Sequence, residues 1–284
     1  MAAALPPLAA EPIFHVGSLP ITNTMINSSI TVLGFVVFAV VISLAVKRYA
    51  GKAPQGILNF FESILETLFG YFDTVTHSRE KTIKFLPLVG TLFLFILVSN
   101  WIGLLPGIGS IGRYLVHEGH VMLVPMFRPA TTDLNMTLAM SLTAVITSHV
   151  VGIAVIGFFK YFNKFIKLGD LWHALKSMNP MTMLTAVIEF FIGFLEIISE
   201  VAKMLSLSLR LFGNVFAGEV LLTVLAGILP FVLPLPFIAL ELIVGIVQAT
   251  VFAMLTLVYL TVATTEVASH HSEHKEDLEP TPTV

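Results

Sequence analysis

The sequence predicts an all-α membrane protein, with about five membrane-crossing helices and one amphipathic helix at the interface. Three observations carry this reading. Of the 284 residues, 56% are hydrophobic and only 12% are charged, against roughly 25% charged in a soluble domain. The apolar runs reach the ~20 residues of a helical span, about twice the length of a barrel strand. Lys and Arg alternate between rich and poor connecting segments, as they do in multi-pass proteins. Cysteine is absent, which excludes disulfides, thiolate chemistry and Cys-ligated metals. A net charge of -3 gives no ground for nucleic-acid binding.

The N-terminal "MAAALPPLAAEPIFHVGSLP" has no basic residue ahead of an apolar core and reads as neither a signal peptide nor a transit peptide. Residues 1–27 are expected to form an external segment. The first span is expected at Ser28–Val46, closed by Lys47 and Arg48. In "APQGILNFFESILETLFGYFDTVTHS", Glu62, Glu66 and Asp73 interrupt apolar residues at helical spacing, which predicts an amphipathic helix. The second span is expected at Phe85–Leu105, with Trp101 at an interface. A loop with Arg113 and Arg128 leads to a third span, Leu134–Phe159, followed by Lys160, Lys164 and Lys167. Two long helical regions, Met181–Leu229 and Phe237–Val267, flank the turn "PFVLPLP". Both exceed the ~20 residues of a perpendicular span. Strong tilt, and a hairpin lying across the membrane, accommodate such length. Residues 28–267 thus read as a single transmembrane domain, and 268–284 as a polar, disordered tail in which His270, His271 and His274 are solvated. The basic residues place the N-terminus outside and the C-terminus inside.

The long helices are not purely apolar. The first carries Glu189, Glu196, Glu200, Lys203, Ser206, Arg210, Asn214 and Glu219; the second carries Glu241 and Gln248. A charge at membrane depth costs at least ~2.5–3.5 kcal/mol, so several together imply a wet cavity, a partner or both. Lys203, Ser206, Arg210 and Asn214 step by three or four residues and share one helix face. Glu219 follows Arg210 by nine residues and points to the opposite side. Glu241 and Gln248, seven apart, share a face of the last helix. Gly213, Ala217 and Gly218 form a small-residue patch suited to close packing, including packing against another subunit. His149, alone in the third span, reads as a packing or polar-pocket residue.

No hydrolytic triad, phosphate loop or histidine ladder accompanies these residues. No catalytic site, cofactor or metal is therefore expected. A row of carboxylates, amides and hydroxyls leading to a fixed cation suits ion movement. Arginine keeps its proton, so Arg210 serves as a barrier or counter-charge and not as a relay. An ion-coupled secondary transporter, a structural scaffold and a self-contained channel are the rival readings. The first lacks inverted repeats and paired broken helices, and the opposed faces of Arg210 and Glu219 favour a barrier over a pore.

"LSLRLFGNVFAGEVL" and "VQATVFAMLTLVYL", with "RPATTDLNMTLAMSL" and "LVSNWIGLLPG" upstream, resemble subunit a of the F-type ATP synthase. The resemblance runs from about Phe14 to Val267. It implies a non-catalytic stator subunit in which two aqueous half-channels lead protons to and from a ring of c subunits. By this resemblance Arg210 faces the c-ring carboxylates. Glu219, Glu241, Gln248 and Asn214 line the proton path, with Glu196, Lys203, Ser206, Asp133 and Asn135 as supporting polar residues. The implied partners are the c ring, the b-subunit peripheral stalk, the rest of the F1Fo complex and the lipid bilayer. The implied location is a bacterial inner membrane, with H⁺ or Na⁺ left open. Relatives often carry a histidine at one of the Glu219 and Glu241 positions. With two glutamates here, a shared proton in the resting channel is expected.

Overall fold

A computed structural model describes residues 6–48, 56–105, 107, 111–117, 120–158, 161–162, 180–230 and 232–276. Among them are six α-helices: α1 (Asn23–Arg48), α2 (Ile57–Thr76), α3 (Arg79–Leu104), α4 (Leu134–Ile156), α5 (Pro180–Ile228) and α6 (Pro234–Glu276). All but α2 are long and apolar enough to cross a membrane. Their Leu, Ile, Val and Phe side chains are largely exposed, and the inward positions hold Asn, Thr, Ser and Ala as well as apolar residues. That inversion suits a lipid surround, where small and polar residues join helices. The chain is an integral, multi-pass membrane protein.

Several boundaries differ from those read in the sequence. Helix α1 begins at Asn23, ahead of Ser28, because Asn23 and Asn27 find buried partners that no apolar periodicity announces. Helix α3 begins at Arg79, since nothing in "REKTIK" opposes a helix. Helix α5 opens at Pro180, the first-turn position that proline favours. Helix α6 continues to Glu276, into the segment expected to be a disordered tail. The next proline is Pro280. The lysines Lys160, Lys164, Lys167 and Lys176, and the loop "GDLWHALKSMN", lie outside the described residues.

The external N-terminal segment and the loop ahead of the third span each hold a β-hairpin. Strand β1 (Pro12–Val16) pairs antiparallel with β2 (Leu19–Thr22), and β3 (Gly112–His117) with β4 (His120–Pro125). The register brings Gly112 opposite Pro125 and His117 opposite His120. Such short pairs are marginal alone. Here Arg113 Nη1 donates to the Ile13 carbonyl at 3.0 Å, tying one hairpin to the other.

The chain divides into two compact units, Met1–Met140 with Ser208–Leu255, and Ser141–Leu207 with Thr256–Val284. In the first, amphipathic α2 packs its apolar face, including buried Leu68 and Phe72, beside α3. Phe61 meets Phe38 of α1 edge to face at 4.7 Å. Arg79 lies 4.0 Å from the Phe69 ring and bridges to Asp73 at 2.7 Å, closing the α2–α3 corner. The Asp73 carboxyl is held below its ordinary pKa, first by the neighbouring Thr82 hydroxyl and then by Arg79. Trp101 donates to the Leu242 carbonyl of α6 at 3.2 Å and lies against Gly245.

The approach of α3 to the turn at 129–132 is closest at Gly103. A Cβ there would lie 2.1 Å from Pro129 Cγ, and a proline ring cannot swing aside. Gly103→Ala is expected to destabilise the protein by ~1–3 kcal/mol. Thermal unfolding of the solubilised protein, followed by size-exclusion after heating, reads this as a lowered midpoint.

Candidate functional site

The site is built where α5 passes the segment just before α4. Arg128 precedes a 3₁₀ turn at Ala130–Thr132. Its carbonyl accepts from Asn27 Nδ2 at 2.9 Å, and the Pro125 carbonyl accepts from Asn23 Nδ2 at 3.3 Å. Thr131 Oγ1 donates to Asn100 Oδ1 at 2.5 Å. These bonds hold the segment against α1 and α3. Its side chain is 2% exposed and reaches α5, where Nε donates to Glu219 Oε2 at 3.0 Å. Nη2 lies 2.9 Å from the same oxygen, in ion-pair contact though outside hydrogen-bond alignment.

Glu219 and Glu241 both line a cavity of about 340 Å³, together with Arg128, Asn100, Thr223 and Glu11. That is room for several waters. The two carboxylates reach it from different helices. Glu241 crosses from α6 to lie directly on α5, and Gly218 makes the space. A Cβ on Gly218 would be 2.3 Å from Glu241 Oε1. The expected small-residue patch therefore divides. Gly213 and Ala217 are exposed, whereas Gly218 is buried beneath Glu241. The shared-proton expectation for Glu219 and Glu241 took no account of Arg128, which supplies Glu219 with a cation of its own.

Arg210 belongs to the other face of α5. It is exposed, as are Ser206, Gly213, Asn214 and Ala217. No carboxylate among the described residues pairs with it. Leu207, Ser208, Leu211 and Val215, on the intervening positions, are buried. Ser208 Oγ lies 3.1 Å from Thr137 Oγ1 of α4. The separation of Arg210 and Glu219 onto opposed faces, read from their spacing, is thus observed. Gln248 of α6 is half-buried.

Asp133 and Asn135 are structural at this point. Asp133 Oδ1 accepts from the Asn135 backbone N–H at 2.9 Å, capping α4, and Oδ2 accepts from Thr24 Oγ1 at 3.1 Å. Asn135 contributes its backbone, and its side chain is exposed.

The second unit carries its own polar cluster. Lys203 Nζ bonds Glu200 Oε1 at 2.7 Å and lies 5.6 Å from the Tyr259 ring centre. His149 Nδ1 meets Tyr161 Oη at 2.5 Å, and Nε2 lies 3.8 Å from Glu200 Oε2. His149 therefore sits in a polar pocket. Glu196 is half-buried in the same unit.

Sequence reasoning missed Arg128. It counted only as a loop cation, and a basic residue just ahead of a span looks the same whether it orients the chain or turns inward. Its signal was weak: an arginine five residues before the α4 cap, with an unmatched glutamate elsewhere.

Five apolar spans, an exposed Arg210 with which no described carboxylate pairs, and a separate ion pair that joins Glu219 of the same helix to Arg128 define a membrane protein with isolated charges at span positions. The family model for the ATP synthase A chain matches residues 28–261. ATP synthase subunit a of Moorella thermoacetica is 31% identical over 248 residues, covering 87% of this chain and 93% of that one. The Mycobacterium bovis protein of that name is 32% identical over 253 residues (88% and 90%). That of a Geobacter species is 34% identical over 224 residues (78% and 80%). The chain belongs to the ATP synthase subunit a family.

Replacing Asp133 tests its capping role. Asp133→Ala is expected to cost ~1–2 kcal/mol, since it removes both the cap and the acceptor for Thr24. Asp133→Asn, which keeps the cap acceptor, should cost less. Thermal unfolding midpoints of the two variants provide the comparison.

Proposed function

We propose that this chain is the proton-channel stator subunit of an F-type ATP synthase. It forms two aqueous half-channels and passes protons to and from carboxylates on a rotating c ring. The observation that carries the reading is the division of α5. Arg210 and Asn214 occupy an exposed face with Gly213 and Ala217, while Glu219 opens on a cavity with Glu241. An unpaired guanidinium within an apolar span is costly, so a partner surface bearing carboxylates suits that face. The exposed small residues admit a close helix partner.

In this reading Arg210 stabilises the ionised form of each arriving c-subunit carboxylate, whose proton leaves to water in the adjoining half-channel, and it repels a cation moving straight between the half-channels. Because arginine keeps its charge, the barrier does not itself leak. Glu219 and Glu241 load one access path. Gln248, Asn214 and Ser206 supply hydrogen bonds along the rotor face, and Glu196 and Lys203 serve the other path. The b-subunit stalk holds the chain while the ring turns. The N-terminus lies outside and the C-terminus in the cytoplasm of a bacterial inner membrane. Each charge crossing 100 mV carries ~2.3 kcal/mol, and a leak past Arg210 would dissipate it.

Two experiments bear on this. Arg210→Ala is expected to abolish proton-driven ATP synthesis in membrane vesicles while the complex still assembles; normal synthesis would overturn the reading. Gly218→Ala is expected to push the flexible Glu241 carboxylate from its place. ATP-driven proton pumping should then fall several-fold without loss of assembly. Gly218→Ala combined with Glu241→Asp, a shorter side chain, should recover part of it.

A further inference from the structure

Arg128 is gripped from several sides before it touches Glu219. Asn27 holds its carbonyl at 2.9 Å. Nη1 approaches the Ala9 carbonyl at 3.4 Å. The Phe216 ring centre lies 5.8 Å from the guanidinium carbon. The next residue, Pro129, is packed on Gly103. The guanidinium is therefore part of the scaffold, and the carboxylate is the group being placed.

The contact is also one-sided. Nε and Nη2 both meet Glu219 Oε2, and no described residue donates to Oε1. An arginine that only neutralises a carboxylate characteristically grips both oxygens in a fork. Here one oxygen is held, and the residue lines a cavity with space for water.

We propose that Arg128 is a positioning residue for proton transfer at Glu219. It fixes one carboxylate oxygen so that the other exchanges protons with water in the cavity that Glu241 shares. This rests on the reading of Glu219 as a proton-path residue and adds to it a residue from outside the long helices. Since a single oxygen is engaged, a point charge can substitute for the fork, and lysine should serve where glutamine does not.

The test uses the whole ATP synthase in inverted membrane vesicles, carrying Arg128→Gln, Arg128→Lys, Glu219→Gln or the first and third together. ATP-driven proton pumping is measured per assembled complex, and the infrared carboxylate band lost in Glu219→Gln is followed in the others. Arg128→Gln is expected to slow pumping about tenfold and to move that band, while Arg128→Lys restores both to within about threefold of the parent rate. In the Glu219→Gln background, Arg128→Gln should add no further loss, because the two act through one interaction. An unmoved band, normal pumping by Arg128→Gln, or an equal loss in both backgrounds would overturn the proposal. If Arg128→Gln blocks assembly, the uncharged double variant must restore it, and failure to do so also overturns the proposal. Normal pumping by Glu219→Gln alone would instead remove Glu219 from the path and overturn the reading on which the proposal stands.

Discussion

A guanidinium that is 2% exposed has to be neutralised where it sits, and Arg128 meets its carboxylate 91 residues further along the chain. Breaking such a pair strands a charge, at a cost of ~3–5 kcal/mol. The contact therefore sets where α5 passes the segment before α4. The bonds around it belong to the same seam. Asn23 and Asn27 reach from α1, Asn100 from α3, and Asp133 caps α4 while accepting from Thr24. Apolar surface gives little drive for association between helices in lipid. Polar bonds and close approaches at Gly103 and Gly218 supply the specificity that an apolar core gives a soluble protein.

One helix then carries two charges into different surroundings. Glu219 has a counter-charge within the chain, and Arg210 is left on a surface lined by small residues. The nine residues between them correspond to about 900° of helix rotation, so the charges stand half a turn apart. A continuous helix holds that angle rigidly. A charge available to a neighbour and a charge reserved for an internal cavity thus occupy one element without neutralising each other.

Much of the fold was legible because its signals are local. Apolar runs of sufficient length marked five spans, and helical spacing of Glu62, Glu66 and Asp73 marked α2. The opposed faces of Arg210 and Glu219 followed from helix geometry alone, and the RLFGN segment pointed to the family. The start of α1 was not legible. Asn23 and Thr24 look like loop residues until Pro125 and Asp133, more than 100 residues on, meet their side chains. The two hairpins escaped for a related reason, since neither is stable without the bonds that tie them.

By itself, then, the sequence determined which segments enter the membrane, which charges share a helix face and which family the chain joins. Each of these depends on residues close together in the chain, or on composition. Only the tertiary structure decided which charges are paired. Arg128 and Glu219 are brought together by packing across 91 residues, and Gly218 is split from Gly213 and Ala217 by the arrival of Glu241. Helical periodicity specifies an angle on one helix, but not the neighbour that lies in that direction.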